Sequence, residues 1–320
     1  MANKAKLSIV ILNYNAGKYL EKCLDSVKQS YQKDLNKKAK YQISSIVIAD
    51  NNSTDNSIEF LKTKKTQTEP KIILLEIGKN LGFSGGNNKG VGPAIRDNPD
   101  YLLFLNPDTL VHPGVFSDTI DFLENNPKAG IVTPKLVMAN GKLDEASHRG
   151  FPTPWRSFCH FSGLAKIFSE SRLFSGYTLG HLLNDKLPHQ IDSCSGAFLM
   201  IRTKIGKKLN WWDEDYFWYG EDLDFCYRVK KLGWKIFFLP EIKIIHYRGV
   251  SSGIKKHSGN ISKAKKETRL RAARASVEAM RIFYQKHYQK KYPYLIRMIV
   301  SVGINILEKY RLFKVNSQYQ

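Results

Sequence analysis

Apolar residues follow two alternating patterns along the first third of the chain. Leu7–Leu12 and Tyr101–Leu105 are continuous apolar runs, and Ile46–Ala49 and Lys71–Ile77 are strand-like runs between them. Such runs are typical of strands that are covered on both faces. Between the first two runs, Gly17–Ser30 carries its apolar residues at helical spacing. This alternation predicts an α/β fold with a Rossmann-like, mostly parallel central sheet flanked by helices.

The pattern changes after Gly130. Residues 147–190 are rich in aromatic residues, His, Pro and Gly without clear periodicity, and we interpret them as an irregular region over the sheet. Glu221–Leu232 begins with two acids and is followed by Gly233, which is typical of a helix. Short strands are predicted at Ala197–Ile201, Trp234–Leu239 and Ile242–Ile245.

The chain is strongly basic, and the charge is concentrated at its C-terminal end. The formal net charge is +21, and from Lys255 onward 16 Lys or Arg residues stand against three acids. We expect helices from about Ser262, including a mostly apolar one at Tyr294–Leu307 with a narrow polar stripe. Such a basic-rimmed amphipathic helix suits an anionic membrane surface, although an ordinary helix packed on the domain is the alternative. The flanking basic residues are Lys286, Lys290, Lys291, Lys309, Arg311 and Lys314.

The sequence shows no export signal and no membrane span. Met1–Lys6 is polar and leads directly into a strand, and no stretch reaches the roughly 18 apolar residues that cross a bilayer. The four cysteines lie far apart without metal-like spacing, which favours a reduced compartment. We therefore expect a cytoplasmic protein that is soluble or peripheral at the inner face of the cell membrane.

Polar and glycine-rich segments follow three of the predicted strands. Asp50 ends the second strand and begins the run Asp-Asn-Asn-Ser-Thr-Asp, whose acceptors suit a nucleobase or ribose, although Ser53 or Asp55 can also cap the next helix. The third strand is followed by the glycine-rich segment Gly82–Gly90, either a turn or a close backbone approach to a ligand. Ligands of open α/β sheets bind beyond the carboxyl ends of the strands, so these segments predict one site.

Acidic residues occur in two further places. Asn106-Pro107-Asp108 follows the fourth strand, where a carboxylate either holds a divalent cation or forms an Asx-type turn. In residues 213–224, acids alternate with aromatic residues; aromatic faces suit sugar rings, and a partly buried carboxylate suits a general base. His246 is either a metal ligand or a structural residue. The aromatic residues in and beside this segment are Trp211, Trp212, Phe217, Trp218 and Tyr219.

Taken in order, these segments resemble glycosyltransferase family two, in particular its rhamnosyltransferase-like branch. Each motif is weak by itself, whereas their order and spacing are specific and span about residues 7–252. The motifs are SIVILNYN at 8–15, VIADNNSTDNS at 47–57, NLGFSGGNNKG at 80–90, LFLNPD at 103–108, SGAFL at 195–199, FWYGEDLDFCYR at 217–228 and HYRGVSS at 246–252.

The resemblance implies a GT-A domain at 1–260, with a nucleotide-sugar half at about 1–130 and an acceptor half at 131–260. A basic helical region follows at 261–320. By the same resemblance, Asp222 is the catalytic base of an inverting transfer. The implied acceptor-binding residues are Glu221, Trp218 and Asp224. The implied nucleotide-sugar residues are Leu12, Asn13, Asn15, Asp50, Asn52, Gly82, Gly85, Asn87 and Asn106.

The resemblance also implies a divalent metal, Mg²⁺ or Mn²⁺, with Asp108 and His246 as its ligands. The family's DxD motif is here Asn106-Pro107-Asp108, with a single carboxylate. This departure weakens the case for tight metal binding by the protein. We therefore expect the metal to arrive mainly with the donor diphosphate.

The sequence does not identify the donor or the acceptor. The branch suggests dTDP-L-rhamnose as donor, with UDP- and GDP-sugars as alternatives, and a saccharide or lipid-linked saccharide acceptor in cell-surface polysaccharide synthesis. The basic tail also suggests a nucleic-acid-binding protein. That alternative does not explain the acids at the strand ends, and the sequence has no recognisable RNA- or DNA-binding motif. We therefore expect no nucleic-acid partner. A nucleotidyltransferase needs a glycine-rich loop with a basic residue after the first strand, where this chain has Asn13-Tyr14-Asn15.

Overall fold

The computed structural model describes residues 4–63, 70–247 and 266–317. The strands are β1 Ala5–Asn13, β2 Tyr41–Asp50, β3 Ile72–Glu76, β4 Tyr101–Leu105, β5 Thr109–Leu110, β6 Ala129–Met138, β7 His189–Ile191, β8 Phe198–Arg202 and β9 Lys235–His246. The helices are α1 Lys18–Asn36, α2 Glu59–Thr63, α3 Gly82–Ala94, α4 Val115–Asn125, α5 Pro154–Ser162, α6 Leu164–Ile167, α7 Thr203–Leu209, α8 Glu221–Lys231, α9 Lys266–His287 and α10 Tyr294–Asn316. Short 3₁₀ turns lie at Glu145–Ser147 and Gly180–Leu182.

Within the described residues, one nine-stranded sheet forms the centre of the fold. Its order is β3-β2-β1-β4-β8-β6-β9-β5, and β7 pairs with β9. Strands β1 to β4 are mutually parallel, and β6 runs parallel to β9. Strands β5, β7 and β8 are antiparallel to their neighbours. The expected α/β architecture with a mostly parallel sheet is therefore confirmed.

Two apolar clusters cover the two faces of this sheet. Alternate residues of β1 divide between them, because successive side chains of a strand point to opposite faces. Leu7, Ile9 and Ile11 pack with α1 and α4, whereas Val10 packs with α3, α7 and α8. The continuous apolar character of β1 follows from this two-sided burial.

The glycine-rich segment at 82–90 lies in helix α3, so the alternative of a turn was wrong, whereas the alternative of a close backbone approach to a ligand stays a prediction. Gly86 and Gly90 lie one turn apart on the face of α3 that packs on the sheet. A Cβ atom on Gly86 would lie 2.4 Å from Leu12 Cδ1, and one on Gly90 would lie 2.7 Å from Val10 Cγ1. The glycines thus let the helix approach β1 closely, and this packing outweighs their low helix propensity.

The predicted strands at Trp234–Leu239 and Ile242–Ile245 are one strand, β9. Its register against β6 shifts between Pro134 and Lys135, which pair with Leu239 and Lys243. The residues between Leu239 and Lys243 form an irregularity within β9, and the sequence pattern there led to the prediction of two separate strands. The region at 147–190 is largely irregular as expected, although it contains α5 and α6.

The described C-terminal residues 266–317 are mostly helical, as expected; α9 packs against α10 and shares an apolar cluster with residues of the main body. Phe283 and Ala279 of α9 share an apolar cluster with Tyr216 and Tyr227. The predicted start near Ser262, the boundary at 260 and most of the motif at 246–252 lie outside the described residues, so the division into domains stays a prediction. No helix in the ranges that the structure describes has the length and apolar character needed to span a bilayer.

Candidate active site

Several predicted site residues meet at the carboxyl edge of the sheet. Asn13 and Asp50 are register partners at the ends of β1 and β2. Asn106 follows β4 and donates its backbone N–H to the Ala197 carbonyl, 3.0 Å away, just before the antiparallel strand β8. His246 ends β9, whose carboxyl end lies at the same edge. The topology thus joins residues from four separate strand ends.

The carboxylate of Asp50 is held in a compact network. Asn13 Nδ2 donates to Asp50 Oδ1 at 2.8 Å, and Ser53 donates through Oγ to Oδ1 (2.7 Å) and through N to Oδ2 (3.0 Å). Asp50 is buried, and Asn13 Oδ1 has no hydrogen-bond partner in the described part of the chain. Asp55 does not cap helix α2, which begins at Glu59; its Oδ1 accepts the N–H of Ser57 at 3.1 Å in the turn before that helix, and its Oδ2 accepts the N–H of Gly17 at 2.9 Å.

Asn15 joins the loop after β1 to the loop after β2. Its Oδ1 accepts the backbone N–H of Thr54 at 2.7 Å, and its own N–H donates to Ser53 Oγ at 3.0 Å. Asn52 is exposed in the second loop with φ 66°, in the left-handed region that Asn tolerates. Asn52 therefore presents its side chain to solvent beside this fixed pair of loops.

The start of α3 connects the loops after β1 and β2 to the segment 211–219. Gly82 has φ 73°, and a Cβ atom there would lie 2.3 Å from the Phe217 carbonyl oxygen. That oxygen accepts the N–H of Phe83 at 2.9 Å. Gly85 faces Glu214, 3.8 Å from where its Cβ would be. Asn87 is buried and donates to the Phe83 carbonyl within the helix.

Two asparagines that the sequence analysis did not single out fix α3 in place. Asn51 Nδ2 donates to the Gly82 carbonyl at 3.0 Å, and Asn51 Oδ1 accepts the N–H of Leu81 at 2.9 Å. Asn88 Nδ2 donates to the Trp212 carbonyl at 2.9 Å, and Asn88 Oδ1 accepts the N–H of that tryptophan. Both lie inside recognised motifs, but only the fold shows what they bind.

Asp108 and His246 are in contact. Their Oδ1 and Nε2 atoms are 3.3 Å apart, and Asp144 Oδ2 lies 2.9 Å from His246 Nδ1. Burial of the imidazole lowers its pKa, but the two carboxylates outweigh burial and raise the pKa of His246 to about 9. Asp144 carried no sequence signal. Across the described ranges, no group of three or more His, Cys, Asp or Glu side chains is arranged to hold a metal.

Glu221 and Asp222 open helix α8, where the helix dipole favours acids. Asp222 Oδ2 is 2.7 Å from Arg149 Nη2, and Asp222 Oδ1 accepts the N–H of Leu223 at 2.8 Å. Glu221 is buried, and its Oε2 has no partner among the described groups. Burial, and then the charge of Asp222, raise the pKa of Glu221 to about 8. Arg149 lies in the irregular region and was missed because no pattern marks it.

The resemblance implied that Asp224 binds the acceptor, but the contacts of Asp224 indicate a structural role. Its side chain is fully buried, with Oδ1 2.7 Å from His287 Nε2 and Oδ2 2.6 Å from Arg228 Nε. Both oxygens are therefore occupied by cationic or donor groups of α8 and α9. The side chain has no surface to offer an acceptor, and its contacts join the two helices.

The aromatic residues before α8 also divide into two sets. Trp211 and Trp212 belong to the apolar core, where the Trp212 ring lies 4.8 Å from that of Phe104. They therefore do not offer a face to a sugar. Trp218 is only half-buried and stacks on Tyr219 with a ring separation of 5.4 Å. Before α8, Phe217 is exposed, and Trp218 and Tyr219 are both partly buried.

Sequence comparison identifies the family. A profile described as "Glycosyl transferase family 2" matches residues 8–208. The N-acetylglucosaminyl-diphospho-decaprenol L-rhamnosyltransferase of Mycobacterium tuberculosis is 26% identical over 255 residues, covering 77% of this chain and 78% of the relative. Rhamnosyltransferase WbbL of Escherichia coli K12 is 29% identical over 181 residues, covering 53% of this chain and 62% of WbbL.

Solved structures with low sequence identity share the fold. GalNAc-T7, crystallised with UDP, GalNAc and Mn²⁺, has a TM-score of 0.58 at 15% identity; the match covers 92% of this chain but 52% of that one. The mannosyltransferase PcManGT from Pyrobaculum calidifontis, in complex with GDP-Man and Mn²⁺, has a TM-score of 0.56 at 14% identity over 99% of this chain and 74% of its own. The expected GT-A fold is therefore confirmed. The chain belongs to glycosyltransferase family two, in its rhamnosyltransferase-like branch.

Proposed function

We propose that the protein is an inverting glycosyltransferase whose catalytic base is Asp222. One observation carries this assignment: Asp222 is the acid of the 213–224 segment that is partly exposed at the start of α8 without being tied to α9. Asp213 and Asp215 are paired with Lys286, and Asp224 is fully buried. The side chain of Asp222 is 14% exposed, enough to reach a bound hydroxyl while remaining largely desolvated.

In the proposed reaction, Asp222 accepts the proton of an acceptor hydroxyl as the oxygen forms a bond to the anomeric carbon. The bond from that carbon to the donor diphosphate breaks, and the diphosphate leaves with the bonding electrons. Attack from the opposite face inverts the anomeric configuration without a covalent enzyme intermediate. Glu221 and Trp218, beside Asp222, are proposed to orient the acceptor.

Asp108 and His246 fit a divalent cation as a two-residue donor set. His246 Nδ1 is held by Asp144, which leaves Nε2 directed at Asp108, an arrangement typical of metal-bound imidazoles. One carboxylate oxygen and one imidazole nitrogen leave the remaining coordination positions to a diphosphate. When bound there, Mg²⁺ or Mn²⁺ would neutralise charge on the departing diphosphate.

The surroundings of Asp50 favour a pyrimidine nucleotide. An ionised carboxylate has about four acceptor positions, and three donors from Asn13 and Ser53 already occupy Asp50. The remaining position suits the single imide N–H of thymine or uracil better than the two donors of guanine. With two rhamnosyltransferases among the relatives, we propose dTDP-L-rhamnose as donor. UDP-sugars and GDP-sugars are the alternatives. Asn15, Asn52, Gly82, Gly85, Asn87, Asn106 and Leu12 stay proposed neighbours of the nucleotide sugar.

Screening nucleotide sugars by thermal shift tests the donor and metal assignments together. We expect dTDP-L-rhamnose to stabilise the protein more with Mg²⁺ or Mn²⁺ than with a chelator. Asp108→Ala should remove most of this metal-dependent stabilisation, because the lost carboxylate is a proposed ligand. Asp118→Ala, which removes a carboxylate on α4, serves as the matched control. A metal effect of equal size in Asp108→Ala would exclude the proposed ligand set, and stabilisation by GDP-sugars alone would exclude the pyrimidine proposal.

The acceptor is proposed to be a lipid-linked saccharide in cell-surface polysaccharide synthesis. The mycobacterial relative is named for an N-acetylglucosaminyl diphospholipid, and we extend that class of acceptor to this chain. The orientation of α10 supports a membrane location. Asn305 and Glu308 of α10 accept hydrogen bonds from Arg281 of α9, and Arg311 donates to Ser276. The polar contacts of α10 thus face α9, and an apolar face is left exposed: Leu295, Met298, Ile299, Val302, Ile306, Tyr310 and Phe313.

We therefore propose that α10 lies on the anionic inner surface of the cell membrane. Replacing both Ile299 and Ile306 by Asp should reduce sedimentation with phosphatidylglycerol vesicles several-fold, because the exposed apolar face and the net positive charge act together. Leu187→Asp is the matched control, since Leu187 is also highly exposed but lies outside α10. Equal vesicle binding by the double variant and the wild type would exclude this surface.

A further inference from the structure

Arg149 occupies a fixed place beside the two carboxyl groups at the start of α8. Its backbone exchanges hydrogen bonds with Ser193, just upstream of β8, at 3.1 and 2.9 Å. Its guanidinium reaches Asp222 Oδ2 at 2.7 Å, and the Arg149 side chain is 13% exposed. An arginine held in this way is a permanent positive charge that cannot move away from the carboxylate without breaking buried contacts.

The groups around Asp222 differ in charge. Glu221 is adjacent in sequence and buried, Arg149 Nη2 lies 3.5 Å from the Cys194 carbonyl oxygen, and the buried thiols of Cys194 and Cys226 are 3.9 Å apart. The N–H of Gly150, next to Arg149 in the chain, donates to the Tyr177 carbonyl at 2.8 Å. Among these described neighbours, Arg149 is the group that is positively charged at every physiological pH. It contacts Asp222 directly, whereas Glu221 Oε2 has no hydrogen-bond partner within the described part of the chain.

Glu221 is buried and adjacent in sequence to the largely buried Asp222, and burial together with the negative charge of Asp222 disfavours ionisation of Glu221. We propose that Arg149 is a positioning residue that directs the single negative charge of this pair to Asp222 and leaves the proton on Glu221. This inference rests on the proposed role of Asp222 as base. Asp222 then accepts the acceptor proton, while the Glu221 carboxyl can donate a hydrogen bond to an acceptor oxygen. The raised pKa of Glu221, about 8, agrees with this division.

The test replaces Arg149 by Gln, which keeps a hydrogen-bond donor but removes the charge. Carboxyl ¹³C NMR of the full chain reports the protonation of Asp222 and Glu221 without any substrate, with Glu221→Gln and Asp222→Asn assigning the signals. In the wild type we expect Glu221 to take up the proton as the pH falls. In Arg149→Gln we expect Asp222 to take up a measurable share of it near neutral pH.

Transfer activity gives the second readout. Arg149→Gln should lose about tenfold in kcat near pH 6, because the loss of the positive charge favours the protonated form of the base, and it should recover much of the activity near pH 9 as both carboxyls ionise. Arg149→Lys keeps the charge and should retain most of the acid-side activity. If the Gln variant does not fold, the Lys variant carries the test: unaltered Asp222 titration supports the proposal, and proton uptake by Asp222 despite the retained charge overturns it.

Arg156→Gln is the matched control, because Arg156 forms a similar ion pair with Asp192 in the same region, at 2.8 Å. It should leave the titration of Glu221 and Asp222 unchanged. Wild-type titration in Arg149→Gln, or an activity loss of equal size at both pH values, would overturn the inference. Full turnover in Asp222→Asn would instead remove the proposed base, so the two failures are distinguishable.

Discussion

Replacing Asp222 by Asn lowers kcat about 10²–10⁴-fold and leaves the affinity for the nucleotide sugar nearly unchanged. The amide keeps the shape of the side chain and a carbonyl oxygen for Arg149, but it cannot accept the hydroxyl proton. The proposed donor site lies at other strand ends, and donor binding does not require that proton transfer. The measurements are nucleoside diphosphate release at saturating donor and acceptor, and donor affinity by calorimetry.

Asp215→Asn provides the matched control for this experiment. Asp215 lies in the same acidic segment and can be changed in the same way, from Asp to Asn. Its side chain, however, is 69% exposed and pairs with Lys286. We expect near-wild-type turnover from Asp215→Asn. If Asp222→Asn is equally active, Asp222 is not the base, and Glu221 becomes the next candidate. Product anomeric configuration, determined by NMR, separately tests inversion.

Replacing Asp224 by Ala lowers the free energy of unfolding by about 3–5 kcal/mol, because it leaves His287 and Arg228 with buried, uncompensated polar groups. Urea denaturation measures this loss. Burial alone raises the pKa of Asp224, but hydrogen bonds from His287 and Arg228 outweigh it and lower the pKa below its ordinary value. The contribution of Asp224 is therefore present above the unfolded pKa near 3.8 and is lost as the pH falls through the lower folded value.

Asp213→Ala is the comparison for that prediction. Asp213 also pairs with α9, through Lys286 at 2.5 Å, but both side chains are partly exposed. Solvent screening limits such a pair to about 1 kcal/mol or less. Equal and small losses in the Asp213 and Asp224 variants would show that the buried pair does not hold α9 to α8.

The strands were predictable because strands that are buried on both faces consist of continuous apolar runs. The bounds predicted for Tyr101–Leu105 are those observed for β4, and the predicted helix at Glu221–Leu232 differs from α8 by one residue. Helix α3 was not predictable from propensity, since its glycines disfavour a helix in isolation. Its stability comes from contact with Leu12 and Val10, which depends on the assembled sheet.

The site shows the same division between local and long-range information. Strand ends located Asp50 and Asp108 correctly at one sheet edge. Arg149 and Asp144 were missed because their partners lie 73 and 102 residues away in the chain. Asp224 was misjudged for a geometrical reason: it is two residues from Asp222, and residues two apart on a helix point in nearly opposite directions. Asp222 therefore contacts Arg149, whereas Asp224 contacts His287 of α9.

The contact between α8 and α9 bears on how the tail can be studied. A Cβ atom on Gly220, the residue before Glu221, would lie 2.9 Å from Ala279 Cβ of α9. Deleting both C-terminal helices to obtain a lipid-free enzyme would also remove the contacts of α9 with Tyr216 and Tyr227, next to and within α8. Lost turnover in such a shortened chain would say nothing about membranes, and only point changes on the outer face of α10 separate the two effects.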